Sequence, residues 1–404
     1  MFWDFIYQNY VYILMPVISG LIGWITNVLA VKMTFYPIDY FGIRPFGWQG
    51  IIPSKTTQMA EKSVDLLTRD LFKTSEVFAR IDTQKVTEIC SDDLKKLCGK
   101  ITSKVMQSRM PIVWSISGNK IKNTVSQVIE TAMPSAVQNS MQSIKDNVDD
   151  IIDLKKITID TLKEDKTLIN KIFLDLGGKQ FRFIETSGLF LGAFFGIGQI
   201  FTMAYTSHWL MFLLYGIFIG YITNYLAIKL IFEPAEPVYI GPFVLWGLFL
   251  KRQKEESFRY AQIISERILT IDNLFDTIFR KDNPRVKEIL GREISSAVDR
   301  VMERMPVPVR ILMPDEKIRE IKSVALFELM CEMPLYIRAV FPYAEKALDI
   351  QNTIGNKMAS LPPKKFIGFL RPAFEQDEWK LIAVGAVLGG AAGIIQYFIS
   401  ILQC

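Results

Sequence analysis

Gly23-Trp-Ile-Thr-Asn-Val-Leu-Ala-Val-Lys-Met-Thr-Phe-Tyr-Pro37 returns 197 positions later as Gly220-Tyr-Ile-Thr-Asn-Tyr-Leu-Ala-Ile-Lys-Leu-Ile-Phe-Glu-Pro234. Nine of the fifteen positions are identical. A second set keeps the same offset: Gly188, Gly192, Gly196 and Gln199 reappear as Gly385, Gly389, Gly393 and Gln396. Similarity at one fixed period marks a repeated structural unit, so the 404-residue chain reads as a tandem duplication of about half its length.

Composition places that duplication in a membrane. The mean hydropathy of +0.21 is high for a soluble protein, whereas 22% charged residues is high for a bundle made only of spans. Segregation reconciles the two. Phe5 to Val31 carries no charged side chain, Thr186 to Ile228 is a charge-free run of 43 residues broken only by the polar Ser207-His208, and Leu381 to Cys404 is again charge-free. A span needs roughly 20 apolar residues at about 1.5 Å each, so four spans are expected, near 11–32, 186–205, 209–230 and 381–401. A cleavable signal peptide would need a basic start, and Met1-Phe-Trp-Asp4 has no Lys or Arg. The first run is therefore expected to stay as a span.

The basic residues set an expected orientation. The N-terminal tail, the turn between spans two and three, and the C-terminal tail hold no Lys or Arg. Lys32, Arg44, Lys55, Lys179, Arg182, Lys229, Lys251 and Lys380 all lie at the other boundary. The positive-inside rule then predicts cytosolic connecting regions and both termini outside. Net charge is +5, a mild excess that basic side chains near an anionic leaflet explain without nucleic acid. Cys90, Cys98, Cys331 and Cys404 show no CxxC or metal spacing, and free thiols are expected.

The connecting regions read as helical. Met59, Ala60, Val64, Leu67 and Leu71 fall on one face, and Phe258, Ala261, Ile264 and Ile268 repeat it. Val105-Met-Gln-Ser-Arg-Met-Pro111 resembles Val301-Met-Glu-Arg-Met-Pro306, and Met133-Pro134 resembles Met333-Pro334. Proline ends or kinks a helix, so these are expected as matching corners. No period-two strand pattern stands out. The predicted class is an all-α polytopic membrane protein with four spans and two helical cytosolic domains in a pseudo-two-fold repeat. Its divisions are 1–37, 38–185, 186–232, 233–380 and 381–404.

Candidate residues lie mainly in the spans. Gly188, Gly192 and Gly196, like Gly385, Gly389 and Gly393, are spaced i, i+4, i+8, which lets another backbone approach closely. Gly216 with Gly220, and Ser19 with Gly23, repeat the small-xxx-small spacing. Asn27, Asn224, Gln199 and Gln396 are amides inside apolar helices. They read first as interhelical hydrogen-bond clamps, with a polar substrate or ion site at the repeat interface as the rival. Lys32 and Lys229 are expected to snorkel to the headgroups. Trp48 and Trp246 sit in Gly- and Pro-bearing loops expected as an interfacial belt or a short re-entrant turn.

Tests for catalysis find little to work with. His208 is the only histidine, and no GxxxxGK[ST] or strand-borne GxGxxG occurs. The reading is therefore no enzyme, no cofactor and no metal, with membrane lipids as partners alongside other membrane or cytosolic proteins.

The repeated Gly-x-x-Thr-Asn-x-Leu-Ala-x-Lys-x-x-Phe-x-Pro, Gly47-Trp-Gln-Gly-Ile-Ile-Pro53, and Leu361-Pro-Pro363 leading to Glu378-Trp-Lys-Leu-Ile-Ala-Val-Gly-Ala-Val-Leu-Gly389 carry a family resemblance. Over essentially its whole length the chain resembles a bacterial membrane family catalogued as domain of unknown function 445. The resemblance implies a bacterial inner-membrane protein with helical cytosolic parts, and brings no activity or ligand residues. The second copy has Leu245-Trp-Gly-Leu-Phe-Leu250 in place of the Gly47–Pro53 form, which suggests a loop role confined to the first half. The expected function is an envelope-associated scaffold or a lipid-handling protein. The alternative is a transporter with its polar site between the repeats. A transporter needs a water-accessible cavity between the spans, whereas a scaffold has a dry bundle and its open surface in the cytosolic part.

Overall fold

The computed structural model describes residues 2–43, 47–116, 118–205, 208–279, 283–305, 307, 310, 313–370 and 378–401, with side chains from Leu14 onward except at 63, 113, 116, 120, 202–205, 240, 243, 369–370 and 399–400. Among the described residues, four helices are long and apolar enough to cross a membrane: Leu14–Phe35, Leu168–Phe201, Trp209–Phe232 and Glu378–Phe398. The chain is thus an all-α protein of the polytopic membrane class. Arg371 to Asp377, within the expected second cytosolic domain, lies outside the described residues.

Contacts gather the chain into two compact units: 1–66 with 159–263 and 354–404, and 67–158 with 264–353. The first unit holds all four spans. Its second span helix runs unbroken from Leu168 to Tyr205, so 168–185 belongs with the spans and not with the helical region that precedes it in sequence. Leu168, Ile172, Leu176 and Ile184 are buried along it at helical spacing. The first span packs on the second and the third on the fourth, so each repeat supplies one antiparallel hairpin.

Both copies repeat at the backbone level. Gly50 N–H donates to the Pro37 carbonyl at 2.9 Å and Gly247 N–H to the Pro234 carbonyl at 3.0 Å. Phe41 bridges Trp48, and at the same offset Val238–Ile240 pairs with Phe243–Leu245 in a short antiparallel hairpin. Each of the two loops is thus closed by antiparallel pairing, a single bridge in the first half and a three-residue hairpin in the second, although their sequences differ there. A period-two signal is weak in three-residue strands. Gly241, at φ +58°, supplies the left-handed residue of that turn.

The second unit has four long helices, Thr83–Arg109, Asn119–Asp146, Pro284–Arg304 and Asp315–Tyr336. Asp82 caps the first by accepting from Gln84 N–H at 2.9 Å, and Asn283 caps the third by accepting from Val286 N–H at 3.2 Å. The first packs on the second and fourth, and the third likewise. Helices of the two connecting regions thus interleave in one bundle, because a lone amphipathic hairpin leaves its apolar face uncovered. Each half enters this unit through a π-type turn, Leu67–Leu71 and Ile264–Ile268, again 197 apart. Pro111 does mark a break, as it opens a new helix. Pro134 does not: it lies inside the helix that continues to Asp146. Pro334 also lies inside its helix, three residues before a tight 3-10 turn at Ile337–Val340.

Candidate functional site

In the spans, the ladder glycines meet backbone. A Cβ on Gly23 would strike the Gly188 carbonyl oxygen, and one on Gly192 the Ser19 carbonyl oxygen. On Gly196 it would lie 2.7 Å from the Ser19 Cβ and 2.8 Å from the Pro16 Cα. The second hairpin repeats the arrangement: Gly220 faces the Gly385 carbonyl, Gly216 and Gly389 face each other's carbonyls, and Gly393 faces that of Phe212. Approach this close brings Cα–H groups onto carbonyl oxygens, about 0.5–1 kcal/mol each.

The asparagines use the space that the glycines leave. Asn27 is 0% and Asn224 1% exposed. Asn27 Nδ2 donates to the Ile184 carbonyl at 2.6 Å, and Asn224 Nδ2 to the Leu381 carbonyl at 2.8 Å. Each accepting carbonyl lies one helical turn before a glycine, Gly188 or Gly385, whose missing Cβ makes room for the amide. The neighbouring threonines turn inward on their own helices, Thr26 donating to the Gly23 carbonyl at 3.0 Å and Thr223 to that of Ile219 at 2.8 Å. The Oδ1 atoms of both asparagines have no partner among the described residues.

The glutamines join the hairpins. Gln199 Nε2 donates to Gln396 Oε1 at 3.3 Å. Two residues related by the repeat therefore bond each other, which puts the pseudo-two-fold axis between them. Ser19 Oγ donates to Gln199 Oε1 at 3.0 Å, and Gln396 Nε2 lies 2.7 Å from Met15 Sδ. All four side chains are buried. A cavity of about 30 Å3 lies beside the span helices, walled by Ala30, Ile184, Asn224 and Phe249 among others.

At the helix ends, Lys32 and Lys229 are both exposed. Lys229 Nζ donates to Tyr225 Oη at 3.2 Å and lies 3.8 Å from the Glu233 carboxylate. Trp48 is half-buried and donates Nε1 to the Met33 carbonyl at 3.2 Å. Trp246 is half-buried too, its Nε1 without a partner among the described residues.

Sequence reading missed a polar group in the same unit. Gln180 Nε2 donates to Glu256 Oε1 at 3.3 Å, both side chains being buried. Burial pushes the Glu256 carboxyl up, opposed by the Gln180 hydrogen bond. Neither residue belongs to a repeated motif, so nothing in the sequence marks the pair.

It also missed the interior of the helical bundle. One cavity of about 140 Å3 is lined by Val86, Cys90, Leu94, Met133, Phe279 and Leu290 among others. A second, about 190 Å3, is lined by Val105, Met106, Val301, Met302, Met305 and Met313 among others. Cys98, Ile129, Ile294, Ala297 and Leu329 line both, so the two adjoin along the bundle. Burial pushes the thiols of Cys90 and Cys98 up to about 11, which leaves them unreactive near neutral pH.

A duplicated span hairpin joined to a helical bundle defines the class, a multi-pass membrane protein. Its relatives agree. Over 62 residues the chain is 39% identical to the UPF0754 membrane protein of Bacillus cereus strain AH187, covering 15% of this chain and 16% of that one. Over 69 residues it is 39% identical to the UPF0754 membrane protein of Anoxybacillus flavithermus, covering 16% and 18%. The match thus spans under a fifth of the length of these curated relatives, and it supports an uncharacterised bacterial membrane family. No family model matches the chain, and no solved structure matches it.

Proposed function

We propose that the protein is a non-enzymatic, lipid-handling protein; the bacterial inner-membrane location is what its resemblance to domain of unknown function 445 implies. In this reading the spans anchor it, both termini lie outside, and the helical bundle is cytosolic and holds an apolar chain. The observation that carries the reading is a contrast. The span hairpins close on backbone, whereas the bundle carries two adjoining apolar cavities of about 140 and 190 Å3. Methionines in the walls suit a flexible guest, because their side chains adapt to irregular shapes. The buried amides are engaged by helix carbonyls and by each other, which favours clamps over a transport site.

Ala297 borders both cavities, so Ala297→Phe should obstruct both. Lipid that stays with the purified protein through detergent exchange would be quantified by mass spectrometry. The wild type is expected to retain lipid that the variant loses several-fold, both remaining folded by circular dichroism. Equal retention by the two would refute a lipid-holding cavity.

A further inference from the structure

We infer that the end of the bundle where its helical hairpins turn docks on an anionic lipid surface. Lys100 Nζ lies 2.7 Å from Glu332, Lys104 Nζ 2.6 Å from Glu328, and Arg109 3.9 Å from Glu320. This antiparallel ladder puts the turn after Arg109 at the same end as the turn before Asp315. Each presents an exposed aliphatic side chain: Ile112 is 74% and Val307 63% exposed.

Charge selects the partner. From Ile101 to Ile129 the sequence has four basic residues, Lys104, Arg109, Lys120 and Lys122, and no acidic one, and between Glu303 and Asp315 it has Arg304 and Arg310 and no acidic one. The three ladder cations are paired with glutamates. Past them, Lys122 Nζ lies 5.2 Å over the Trp114 ring, and Arg304 and Arg310 are exposed. Aliphatic tips beside an aromatic ring and surplus cations match the boundary of a bilayer with anionic headgroups. A second copy of the same basic end would be repelled. Met305 and Met313, in the wall of the larger cavity, lie at this end, so docking would bring the cavity toward acyl chains. The inference rests on charge and exposure and holds even if the cavity carries no lipid.

The test places an environment-sensitive nitrobenzoxadiazole dye on Ile112→Cys or Val307→Cys in the full chain, with Cys331 and Cys404 changed to Ser. Cys90 and Cys98 stay, since their raised thiols label poorly. The protein is held in nanodiscs of phosphatidylcholine alone or with phosphatidylglycerol, and vesicles of each composition are added. The expected result is a blue shift and severalfold brightening at both positions wherever phosphatidylglycerol is present. High salt, or the pair Lys122→Glu and Arg310→Glu, should reverse it. Three outcomes would overturn the inference: no shift with any lipid, an equal shift with phosphatidylcholine alone, or a lipid-free shift in detergent that grows with protein concentration. The last would assign the surface to a second copy.

Discussion

The Oε2 of Glu256 and the Oε1 of Gln180 are buried acceptors with no partner among the described residues. Two acceptors in one buried pair lack a donor, and an ionised carboxylate cannot supply it. Protonation can, and burial, the largest influence on this carboxyl, favours the protonated form, against the Gln180 hydrogen bond. The sign follows. A carboxyl whose folded value is raised binds protons more tightly in the folded state, so its contribution is full below the ordinary value of 4.5 and is lost as pH rises through the higher folded value. Glu256→Gln supplies the donor at every pH. At neutral pH it should stabilise the protein in detergent by about 1–3 kcal/mol, with no gain below pH 4.5. A melting temperature that is lower than wild type at neutral pH would contradict this account. Asn27 and Asn224 were legible as buried amides from their repeated motif, whereas Gln180 and Glu256 acquire meaning only from each other, 76 residues apart.

Between helices, glycine is decided by what lies opposite. Sequence spacing predicts that the ladders allow close approach, and on that basis Ala would be tolerated better than Leu. The geometry is stricter. Even a methyl group on Gly389 would meet the Gly216 carbonyl oxygen, a backbone atom that cannot rotate away. Gly178, in the second span helix, has nothing within 4 Å of where its Cβ would be. Gly389→Ala should therefore lower stability in detergent by about 1–3 kcal/mol. Gly178→Ala should be neutral or stabilising by up to about 1 kcal/mol through helix propensity. Thermal unfolding of the two variants side by side decides the matter, and a harmless Gly389→Ala would mean the helices do not pack this tightly. Spacing could show that small residues share a face; it could not show that carbonyl oxygens occupy the space in front of them.

For the whole molecule, the distribution of basic residues predicts one orientation. His208 caps the third span by accepting from Leu210 N–H at 3.3 Å, and it is exposed. Asp92 and Glu316 are exposed on the helical bundle. An impermeant maleimide on intact cells should label a cysteine at His208, and should label cysteines at Asp92 or Glu316 only after lysis. Labelling of the bundle positions from outside would reverse the assigned topology.

The duplication, the four spans and the buried faces of the glycine ladders were determined by the sequence alone. Period, apolar length and side-chain size are local properties, and each appears wherever the chain is read. Pairing is not local. That Gln199 meets Gln396 while Asn27 and Asn224 each bond within their own hairpin depends on which of several similar apolar helices packs on which. The interleaving of the bundle helices, and the apolar cavities that result, were likewise decided only in three dimensions. A cavity is the volume that packing fails to fill, so it belongs to the assembled helices and to no single segment.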